Sequence, residues 1–282
     1  MAGHPLRIGL KPGAQDITPE ELRAVWRIAD DAGFDHLWDY DHFQSFGPGG
    51  LALPIYEGWT LLAAMAEATR RVRIGCLVTG NTYRHPAVLA KMAVTVDHLS
   101  GGRLEFGVGA AWAQHEHESL GIEGLEHRVS RLSESLRVMT ALWTEDRATF
   151  EGRWFRLRDA IAEPKPVQRP HPPIWIGGGG GPRMQRLIAR HADVWTAGYL
   201  AGEETIEGVA AACAEVGRDP ADLRRASECQ WNGQSRDELV EVCGRTHARG
   251  FTELVITLYR SNAAEMACMA AEALPELRRL QR

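Results

Sequence analysis

The stretch VRIGCLVTGNTYRHPAVLAKMAVTVDHLSGGRLEFGV, residues 72–108, contains the pattern that decides the fold. Its two ends, residues 72–78 and 104–108, are short and rich in apolar and β-branched side chains, which is typical of buried strands. Between them, Pro86 stands where a helix would begin, and apolar residues follow at helical spacing as far as residue 99. A strand, a helix and a second strand in this order predict a right-handed βαβ unit with parallel strands.

The same alternation runs through the whole sequence. Thr18, Pro19 and Glu21 predict a capped start of the first helix, and Gly33 ends it. Eight strands and eight helices predict an α/β fold of the closed (β/α)8 type, a TIM barrel, rather than an open doubly wound sheet. Strands are predicted at residues 6–10, 35–39, 72–78, 104–108, 174–177, 193–196, 226–230 and 253–258. Besides the first helix, helices are predicted near residues 59–70, 86–99, 128–143, 183–191, 203–216, 236–248 and 263–280.

The length of 282 residues agrees with a single barrel domain over residues 1–282, because barrels of this kind usually have about 250 residues. The long connection before the fifth strand, residues 144–173, contains the alternating, Gly-centred run TFEGRWFRL (149–157). This run predicts a small hairpin inserted in the barrel. Pro275 is expected to kink the last helix or to end part of it.

Composition argues against several classes of function. The net charge is −5 and no run of Lys and Arg occurs, so binding to nucleic acid is not expected. No apolar run reaches the roughly 18 residues of a membrane helix, and the first residues lack a signal-peptide pattern. The odd number of scattered cysteines, without CxxC spacing, indicates reduced thiols in the cytoplasm rather than disulfides or a zinc site. These cysteines are Cys76, Cys213, Cys229, Cys243 and Cys268.

The loops at the carboxyl ends of the strands build the active site of a parallel barrel, which reduces the candidates to a few short segments. Gly107 and Gly109, in the fourth strand, are expected to let a flat ligand approach the backbone. The candidates at the ends of the second to fifth strands are Asp39, Asp41, His42, Thr79, Gly80, Asn81, Gly109, Ala110, Ala111, Trp112 and residues 177–181.

Five consecutive glycines, residues 177–181, lie between the fifth strand and Pro182, where a helix begins. Bare backbone N–H groups and the positive end of a helix together favour an anion, so the run predicts a cradle for a phosphate. The alternative is a flexible loop without a ligand. The run is not a Walker motif, because no Gly-Lys-Ser/Thr follows it. Nor is it a dinucleotide fingerprint, because Pro182 and Arg183 stand where the third glycine would be.

Two polar clusters each have two interpretations. Asp41 and His42 could position a ring nitrogen or move a proton, and they could equally be a helix cap beside a solvated histidine. The run HEHE at residues 115–118 could hold a metal, or it could be a polar loop of the active site. It lacks the HExxH spacing of a metal-binding helix, so its two histidines would share a face only in an extended segment.

Four motifs together resemble the luciferase-like monooxygenase superfamily, and more narrowly its branch that uses the deazaflavin coenzyme F420. They are WDYDHF (38–43), IGCLVTGNTYRHP (74–86), SGGRLEFGVG (100–109) and the glycine run. The resemblance covers nearly the whole chain in order, including the predicted hairpin. It implies a (β/α)8 barrel that holds a flavin-like ring at the carboxyl face, in a homodimer.

The resemblance also implies roles for individual residues. His42 and Asp41 are the catalytic pair beside the ring, with Asp41 fixing the tautomer of His42. Residues 76–78 match the place where the family carries a non-proline cis peptide bond behind the ring. Trp112, Phe43 and His115 are expected to contact the substrate, and no metal is expected. The residues implied to bind the cofactor are Asp41, Cys76, Leu77, Val78, Thr79, Asn81, Gly109, Ala110, Gly178, Gly179, Gly180 and Gly181, the last four around the phosphate.

The activity implied by the resemblance is that of an F420-dependent oxidoreductase, which transfers a hydride between the deazaflavin and a small organic substrate. Sugar-phosphate dehydrogenases of this branch carry a glutamate proton donor where this chain has Trp112, which indicates an apolar or aromatic substrate instead. The alternative is a monooxygenase that uses reduced FMN and oxygen. Two further hypotheses are a hydrolase with a metal at His115 and His117, and a barrel that binds a flavin without turnover.

Overall fold

The computed structural model describes residues 4–46, 49–199, 201–258 and 262–281. Eight of its strands pair in parallel, each with two neighbours. The pairing of Arg73–Cys76 with Leu104–Gly109, the third and fourth strands of the barrel, closes the sheet. The predicted (β/α)8 barrel is therefore confirmed. The strands are β1 (Arg7–Lys11), β2 (His36–Asp39), β3 (Arg73–Cys76), β4 (Thr79–Gly80), β5 (Leu104–Gly109), β6 (Ala148–Glu151), β7 (Arg156–Ala160), β8 (Ile174–Gly177), β9 (Val194–Thr196), β10 (Arg224–Cys229) and β11 (Glu253–Thr257).

Each predicted helix is present, with its ends within a few residues of the prediction. The described residues contain one α-helix more than the sequence predicts, Gln114–Leu120, in the loop after β5. None of the described helices is both long and apolar enough to cross a lipid bilayer. The α-helices are α1 (Pro19–Ala32), α2 (Gly58–Ala68), α3 (Pro86–Leu99), α4 (Gln114–Leu120), α5 (Arg128–Thr144), α6 (Pro182–His191), α7 (Glu203–Glu215), α8 (Arg236–Ala248) and α9 (Ala263–Leu277).

The helix ends follow the local signals of the sequence. Thr18 Oγ1 accepts a hydrogen bond from the backbone N–H of Glu21 (3.2 Å), and the Glu21 carboxylate accepts one from the backbone N–H of Thr18 (2.9 Å). This is the predicted capping box at the start of α1. Gly33 ends that helix with φ +82°, which glycine adopts without a side-chain clash. Pro275 lies inside α9, and the helix ends two residues later at Leu277.

Strands β6 and β7 form a separate antiparallel pair, in which Phe150 faces Leu157. They lie in the chain between α5 and β8, the fifth strand of the barrel. The two oxygens of Glu134 on α5 accept hydrogen bonds from the backbone N–H groups of Arg153, Trp154 and Phe155. These bonds attach the turn of the pair to the outside of the barrel.

Side chains that point into the barrel form three layers, because alternate residues of a strand face the same side. The middle layer is apolar and contains Trp38, Trp175, Val194, Ala226 and Val255. Gly75 makes room for a large ring of the interior, because a Cβ at this position would lie 2.3 Å from the ring of Trp38. The middle layer therefore separates the two ends of the barrel.

The layer at the amino ends of the strands is charged. Glu105 is buried there and accepts hydrogen bonds from Arg7 Nη2 (3.1 Å), from Trp175 Nε1 (2.7 Å) and from Arg73. Arg7 Nη1 also lies 3.3 Å from the second buried carboxylate, Glu253. The charges in this layer are thus shared between strands rather than paired one to one.

Glu253 has three basic neighbours, namely Arg7, Arg224 (2.9 Å) and His36 (Nε2–Oε2, 3.3 Å). Burial alone would raise the pKa of Glu253. The nearby imidazole of His36 and the charges of the two arginines outweigh that effect and hold the pKa of Glu253 below its ordinary value. Glu253 is therefore ionised, and its charge is balanced within the layer.

Candidate active site

A cavity of about 580 Å3 opens at the carboxyl ends of the barrel strands. Loops after β2, β3, β5 and β8 contribute to its walls, as do the ends of β1, β9, β10 and β11. The predicted site residues that line it are Asp41, His42, Leu77, Val78, Thr79, Gly109, Ala110, Trp112, Gly178, Gly179 and Gly180. Cys76, Asn81, Gly181, Phe43 and His115 are predicted site residues that are not among its lining residues.

Val78 forms part of the cavity wall, directly after a cis peptide bond between Leu77 and Val78. The bond lies in the segment where the resemblance implies one. A Cβ on Gly109 would lie 2.7 Å from Val78 Cγ2, and a Cβ on Gly177 would lie 3.0 Å from both methyl groups of Val78. These two glycines therefore make room for a side chain of the protein, and a Cβ on Gly107 would lie 2.0 Å from the Cys76 carbonyl oxygen. Of the two glycines expected to let a flat ligand approach the backbone, Gly109 lines the cavity and Gly107 does not.

Cys76 belongs to the outer face of the barrel and not to the cavity. It packs in the main core outside the sheet, next to the buried carboxyl of Asp39. Burial raises the pKa of both groups well above their ordinary values. The side chain of Cys76, a residue that the resemblance implies in cofactor binding, therefore points away from the cavity, because the pleat turns residues 74 and 76 outward and 75 and 77 inward.

Asp41 is buried and holds Arg84 rather than His42. Arg84 donates to both carboxylate oxygens, Nη1 to Oδ2 at 2.6 Å and Nη2 to Oδ1 at 2.9 Å, and the backbone N–H of Gly80 donates to Oδ2 at 3.1 Å. Arg84 also pairs with Glu57, the N-cap of α2. Burial raises the pKa of Asp41, although the bonds from Arg84 oppose this effect. Asp41 thus ties the connection between β2 and α2 to strand β4 and to the loop that follows it.

His42 is held by Glu116, a residue of α4 that is fully buried. Its Nδ1 lies 3.0 Å from Oε2 of Glu116, so the predicted role of Asp41 in fixing the tautomer of His42 is wrong. Glu116 also accepts from Tyr83 Oη and, through Oε1, from the backbone N–H groups of Phe43 and Gln44 at 2.9 Å each. One carboxylate therefore fixes the loop after β2, the loop after β4 and α4.

The bonds to Glu116 decide its charge. Burial alone would raise the pKa of this carboxyl, but the hydrogen bonds from His42, Tyr83 and the Gln44 backbone lower it to about 2. Burial and the bond to Glu116 raise the pKa of the Tyr83 hydroxyl well above its ordinary value. Glu116 is an acceptor only, so Nδ1 of His42 carries the proton in their bond. The other ring nitrogen, Nε2, is left for a molecule in the cavity.

The run HEHE at residues 115–118 is helical, so the extended segment in which His115 and His117 would share a face is not formed. His117 donates from Nδ1 to the carbonyl of Ala113 (2.7 Å), and its Nε2 lies 2.7 Å from the hydroxyl of Thr82. Both nitrogens of His117 are therefore engaged with the protein. Within the described ranges, no group of three or more His, Cys, Asp or Glu side chains could hold a metal ion.

Aromatic rings form the outer wall of the cavity. The ring of His42 lies 4.5 Å from that of Phe46 and 5.4 Å from that of Trp112, between centroids. Trp112 is 58% exposed and stands at the mouth. Phe43 instead faces Tyr83, with ring centroids 4.9 Å apart, and lies below the guanidinium of Arg84. Of the predicted substrate contacts, Trp112 therefore lies at the cavity, whereas Phe43 and His115 lie behind it.

The glycine run borders the cavity at the start of α6. Gly178 and Gly181 have φ of +115° and +81°, which other residues rarely adopt. A Cβ on Gly179 would lie 2.7 Å from Thr205 Cγ2, whereas a Cβ on Gly180 would meet nothing within 4 Å. No side chain caps the first turn of α6. The run thus offers open backbone at the amino end of a helix, as a phosphate cradle requires.

An ion pair on the opposite wall was not among the predictions. Lys11 at the end of β1 donates to Glu228 Oε2 (2.8 Å), and the hydroxyl of Thr257 lies 3.2 Å from the same oxygen. Lys11, Glu228 and Thr257 all line the cavity. Their inward positions on β1, β10 and β11 are the signal in the sequence that could have predicted them, because alternate residues of a strand face the barrel interior.

Comparisons with known proteins agree with this geometry. A family described as "Luciferase-like monooxygenase" matches residues 4–272. An F420-dependent glucose-6-phosphate dehydrogenase from Rhodococcus erythropolis is 34% identical over 233 residues, which are 79% of this chain and 67% of the relative. An FMNH2-dependent dimethylsulfone monooxygenase from Pseudomonas putida is 31% identical over 191 residues, 67% of this chain and 50% of the relative. The chain thus spans about half to two thirds of the length of these relatives.

Solved structures share the fold at lower sequence identity. An F420-dependent secondary alcohol dehydrogenase, solved with an F420–acetone adduct, has a TM-score of 0.85 at 20% identity, covering 97% of this chain and 99% of the other. A coenzyme F420-dependent tetrahydromethanopterin reductase from Methanopyrus kandleri has a TM-score of 0.82 at 14% identity, covering 97% and 100%. The family match extends over nearly the whole chain, from the first strand to the last helix. The chain belongs to the luciferase-like monooxygenase family.

Proposed function

We propose that this chain is an F420-dependent oxidoreductase that transfers a hydride between the deazaflavin and a small organic molecule. The similarity to F420-dependent relatives supports this activity. One observation carries it: a single cavity joins an open glycine cradle to a histidine whose tautomer is fixed by a buried carboxylate. Val78, flanked by Gly109 and Gly177, forms the wall between them.

The residues present fit a flat cofactor that carries a phosphate. The open space above Gly180 suits an anion bound by backbone N–H groups. Thr196 lines the cavity with a buried hydroxyl that has no hydrogen-bond partner among the described residues, and the buried Nδ2 of Asn81 nearby has none there either. Because the N–H of Gly178 already donates to the carbonyl of Thr196 (3.1 Å), we assign the phosphate to Gly179 and Gly180. We assign the ring to Val78, Thr79, Gly109 and Ala110, with Leu77 beneath it.

The deazaflavin, when bound, supplies a ring carbon that can accept or donate a hydride. His42 handles the proton that accompanies it. Because Nδ1 is bonded to ionised Glu116, a neutral His42 accepts a proton at Nε2 from a substrate hydroxyl, and a protonated His42 returns it from the same atom. Asp41 and Arg84 hold the loop that carries His42. Trp112 and Phe46 limit the access of water to that atom.

The substrate in this proposal has an apolar body and one polar group. The rings of Phe46 and Trp112 fit the apolar part, in place of the glutamate that the resemblance would put at position 112. Lys11 and Glu228 on the opposite wall suit a hydroxyl, carbonyl or carboxylate, because each keeps some exposure towards the cavity. A small alcohol or ketone with an apolar substituent has both features.

Titration of the purified chain with coenzyme F420, followed by quenching of its fluorescence, tests the proposal. We expect saturable binding that Gly180→Ala weakens while the protein stays folded. FMN in the same titration tests the second candidate, an FMN-dependent monooxygenase, which the similarity to the dimethylsulfone monooxygenase favours. Saturable binding of FMN without binding of F420 would replace the first proposal by the second.

His42→Gln separates an enzyme from a barrel that only stores the coenzyme. This change removes the ring nitrogen Nε2, the proposed proton acceptor, but keeps a hydrogen-bonding side chain of similar length. We expect F420 binding to persist and turnover of short secondary alcohols, used as probe substrates, to fall by about 100-fold or more. Binding by both proteins with turnover by neither would support the storage hypothesis.

We also propose that the chain acts as one domain, in the cytoplasm, as a homodimer. The five cysteines are unpaired, which suits a reducing compartment. The dimer rests on the family resemblance alone. Light scattering during gel filtration measures the mass in solution, and a monomer at micromolar concentration would contradict the dimer.

A further inference from the structure

A second concave site lies beside the glycine cradle, on the outside of the barrel. It is a groove of about 340 Å3 between α5 and α6. Helix α5 contributes Ser130, Ser133 and Arg137 to it, at spacings of three and four residues, which place them on one face of the helix. We call this site the arginine groove.

Helix α6 contributes three more arginines on one face, Arg183, Arg186 and Arg190. With Arg137 the groove therefore holds four guanidinium groups. Arg183 donates to the hydroxyl of Ser130 across the groove (2.6 Å), and Arg137 lies over the ring of Phe150 with 4.6 Å to the centroid. These contacts orient two of the guanidinium groups but do not neutralise them.

The carboxylates near the arginine groove balance only part of this charge, because one carboxylate lines it beside four arginines. Glu134 lines the groove, but both its oxygens accept backbone hydrogen bonds from the turn between β6 and β7. Glu215 lies 3.7 Å from Arg186, and both side chains are about half exposed, so that pair is weak. Burial and the charges of Arg190 and Arg137 lower the pKa of His191, another lining residue. The excess of positive charge is thus concentrated in the groove.

The arginine groove continues from the cradle. Val129 lines both the groove and the main cavity, and Arg128 before it lines the cavity. Helix α6 begins at Pro182, directly after the glycine run, and the seven helical steps from Arg183 to Arg190 rise by about 10 Å. The arginines of α6 therefore extend the positive charge over two helical turns beyond the place where a phosphate would lie on the glycines.

We infer that the arginine groove is a second anion-binding site, which takes carboxylate or phosphate groups attached beyond the phosphate of the ligand in the cavity. Guanidinium groups bind both anions in the same planar, bidentate manner. That the ligand is the coenzyme rests on the proposed function. The inference that the groove binds anions rests on its own side chains and does not depend on the proposed function.

Inorganic tripolyphosphate is the probe for the chemistry, because it needs no cofactor. Calorimetric titration of the wild type is compared with the double variant Arg137→Gln, Arg190→Gln. We expect affinity to fall at least tenfold in the double variant, with a shallower dependence on salt. Arg23→Gln combined with Arg245→Gln removes two exposed arginines elsewhere and serves as the control. Equal affinity in all three proteins would overturn the inference.

The coenzyme arm identifies the source of the anion. Coenzyme F420 is titrated against the wild type, the double variant and the control at low and high salt. We expect the double variant to bind at least fivefold more weakly at low salt. If the wild type and the double variant bind F420 equally, the coenzyme does not reach the groove, and that part of the inference is wrong. If the wild type does not bind F420, the proposed function fails, and the tripolyphosphate titration still decides the groove.

Discussion

The two ends of the barrel both contain buried charges, but they arrange them differently. At the amino end, the carboxylates of Glu105 and Glu253 lie close to three arginines and a histidine, all of them side chains of the barrel strands. At the carboxyl end, the pairs Lys11–Glu228 and His42–Glu116 place Lys11, Glu228 and His42 in the wall of a cavity of about 580 Å3. Ion pairs whose charged groups contact only other side chains stabilise the fold, whereas ion pairs that border a cavity can also act on a ligand. The predictions below test that contrast.

The largest effect is expected at the amino end. Glu105→Gln leaves Arg7 and Arg73 without their buried carboxylate, and breaking a buried pair costs about 3–5 kcal/mol. Urea denaturation should show that loss in the free energy of unfolding, while the folded variant binds F420 as the wild type does. Glu241→Gln, which breaks the exposed pair with Arg245, should lose less than about 1 kcal/mol. Similar losses in the free energy of unfolding of both variants would show that the buried carboxylate stabilises the fold no more than an exposed one.

Glu116→Gln should have the next largest effect on stability. Its carboxylate accepts four hydrogen bonds, and a bond to a charged group contributes about 1.5–3 kcal/mol. We expect a loss within that range at neutral pH, and a shift in the pH profile of turnover, because His42 loses its anionic partner.

The stability loss in Glu116→Gln should itself depend on pH. The folded pKa of Glu116 is about 2, below the ordinary value of about 4.3, so the carboxylate stabilises the fold at higher pH. That stabilisation is lost as the pH falls from about 4.3 towards about 2. The difference between wild type and variant in urea denaturation should shrink over this window. A difference that stays constant down to the acid end would show that charge is not its cause.

Gly109→Ala is expected to destabilise by about 1–3 kcal/mol, because the new Cβ would overlap Val78 at 2.7 Å. Val78→Ala removes the overlapping methyl groups, so the double variant should be more stable than the sum of the two single changes predicts. Thermal denaturation of the four proteins completes the cycle. Strict additivity would mean that the two side chains do not meet.

Gly180→Ala should have the smallest effect on stability, within about 0.5 kcal/mol, because its Cβ meets nothing within 4 Å. Its effect should appear in the affinity for F420 instead. Unchanged affinity together with unchanged stability would remove Gly180 from the proposed cradle.

The sequence predicts most of the fold because strand and helix periods are local properties. The capping box of Thr18 and Glu21 and the helix after the glycine run lie at the predicted places. Helix α4 was missed because its seven residues, QHEHESL, carry no side-chain cap and no apolar stripe. Its start depends on contacts with distant loops.

The candidate site was harder to predict than the fold. Asp41 and His42 are neighbours in the chain, but neighbours on an extended backbone point to opposite sides, so each finds its partner elsewhere. The partners, Arg84 and Glu116, are 43 and 74 residues away in sequence. Only the closed barrel brings them to the same wall, and no spacing rule within one segment could identify them.

The charged layer at the amino end also has a consequence for kinetics. The cavity lies at the carboxyl ends of the strands, above the apolar layer and the charged layer, in the described part of the chain. In the proposed function, the cofactor and the substrate would share this opening, beside the exposed ring of Trp112. A cofactor bound against Val78 would enter before the substrate and leave after it. We therefore expect an ordered kinetic mechanism.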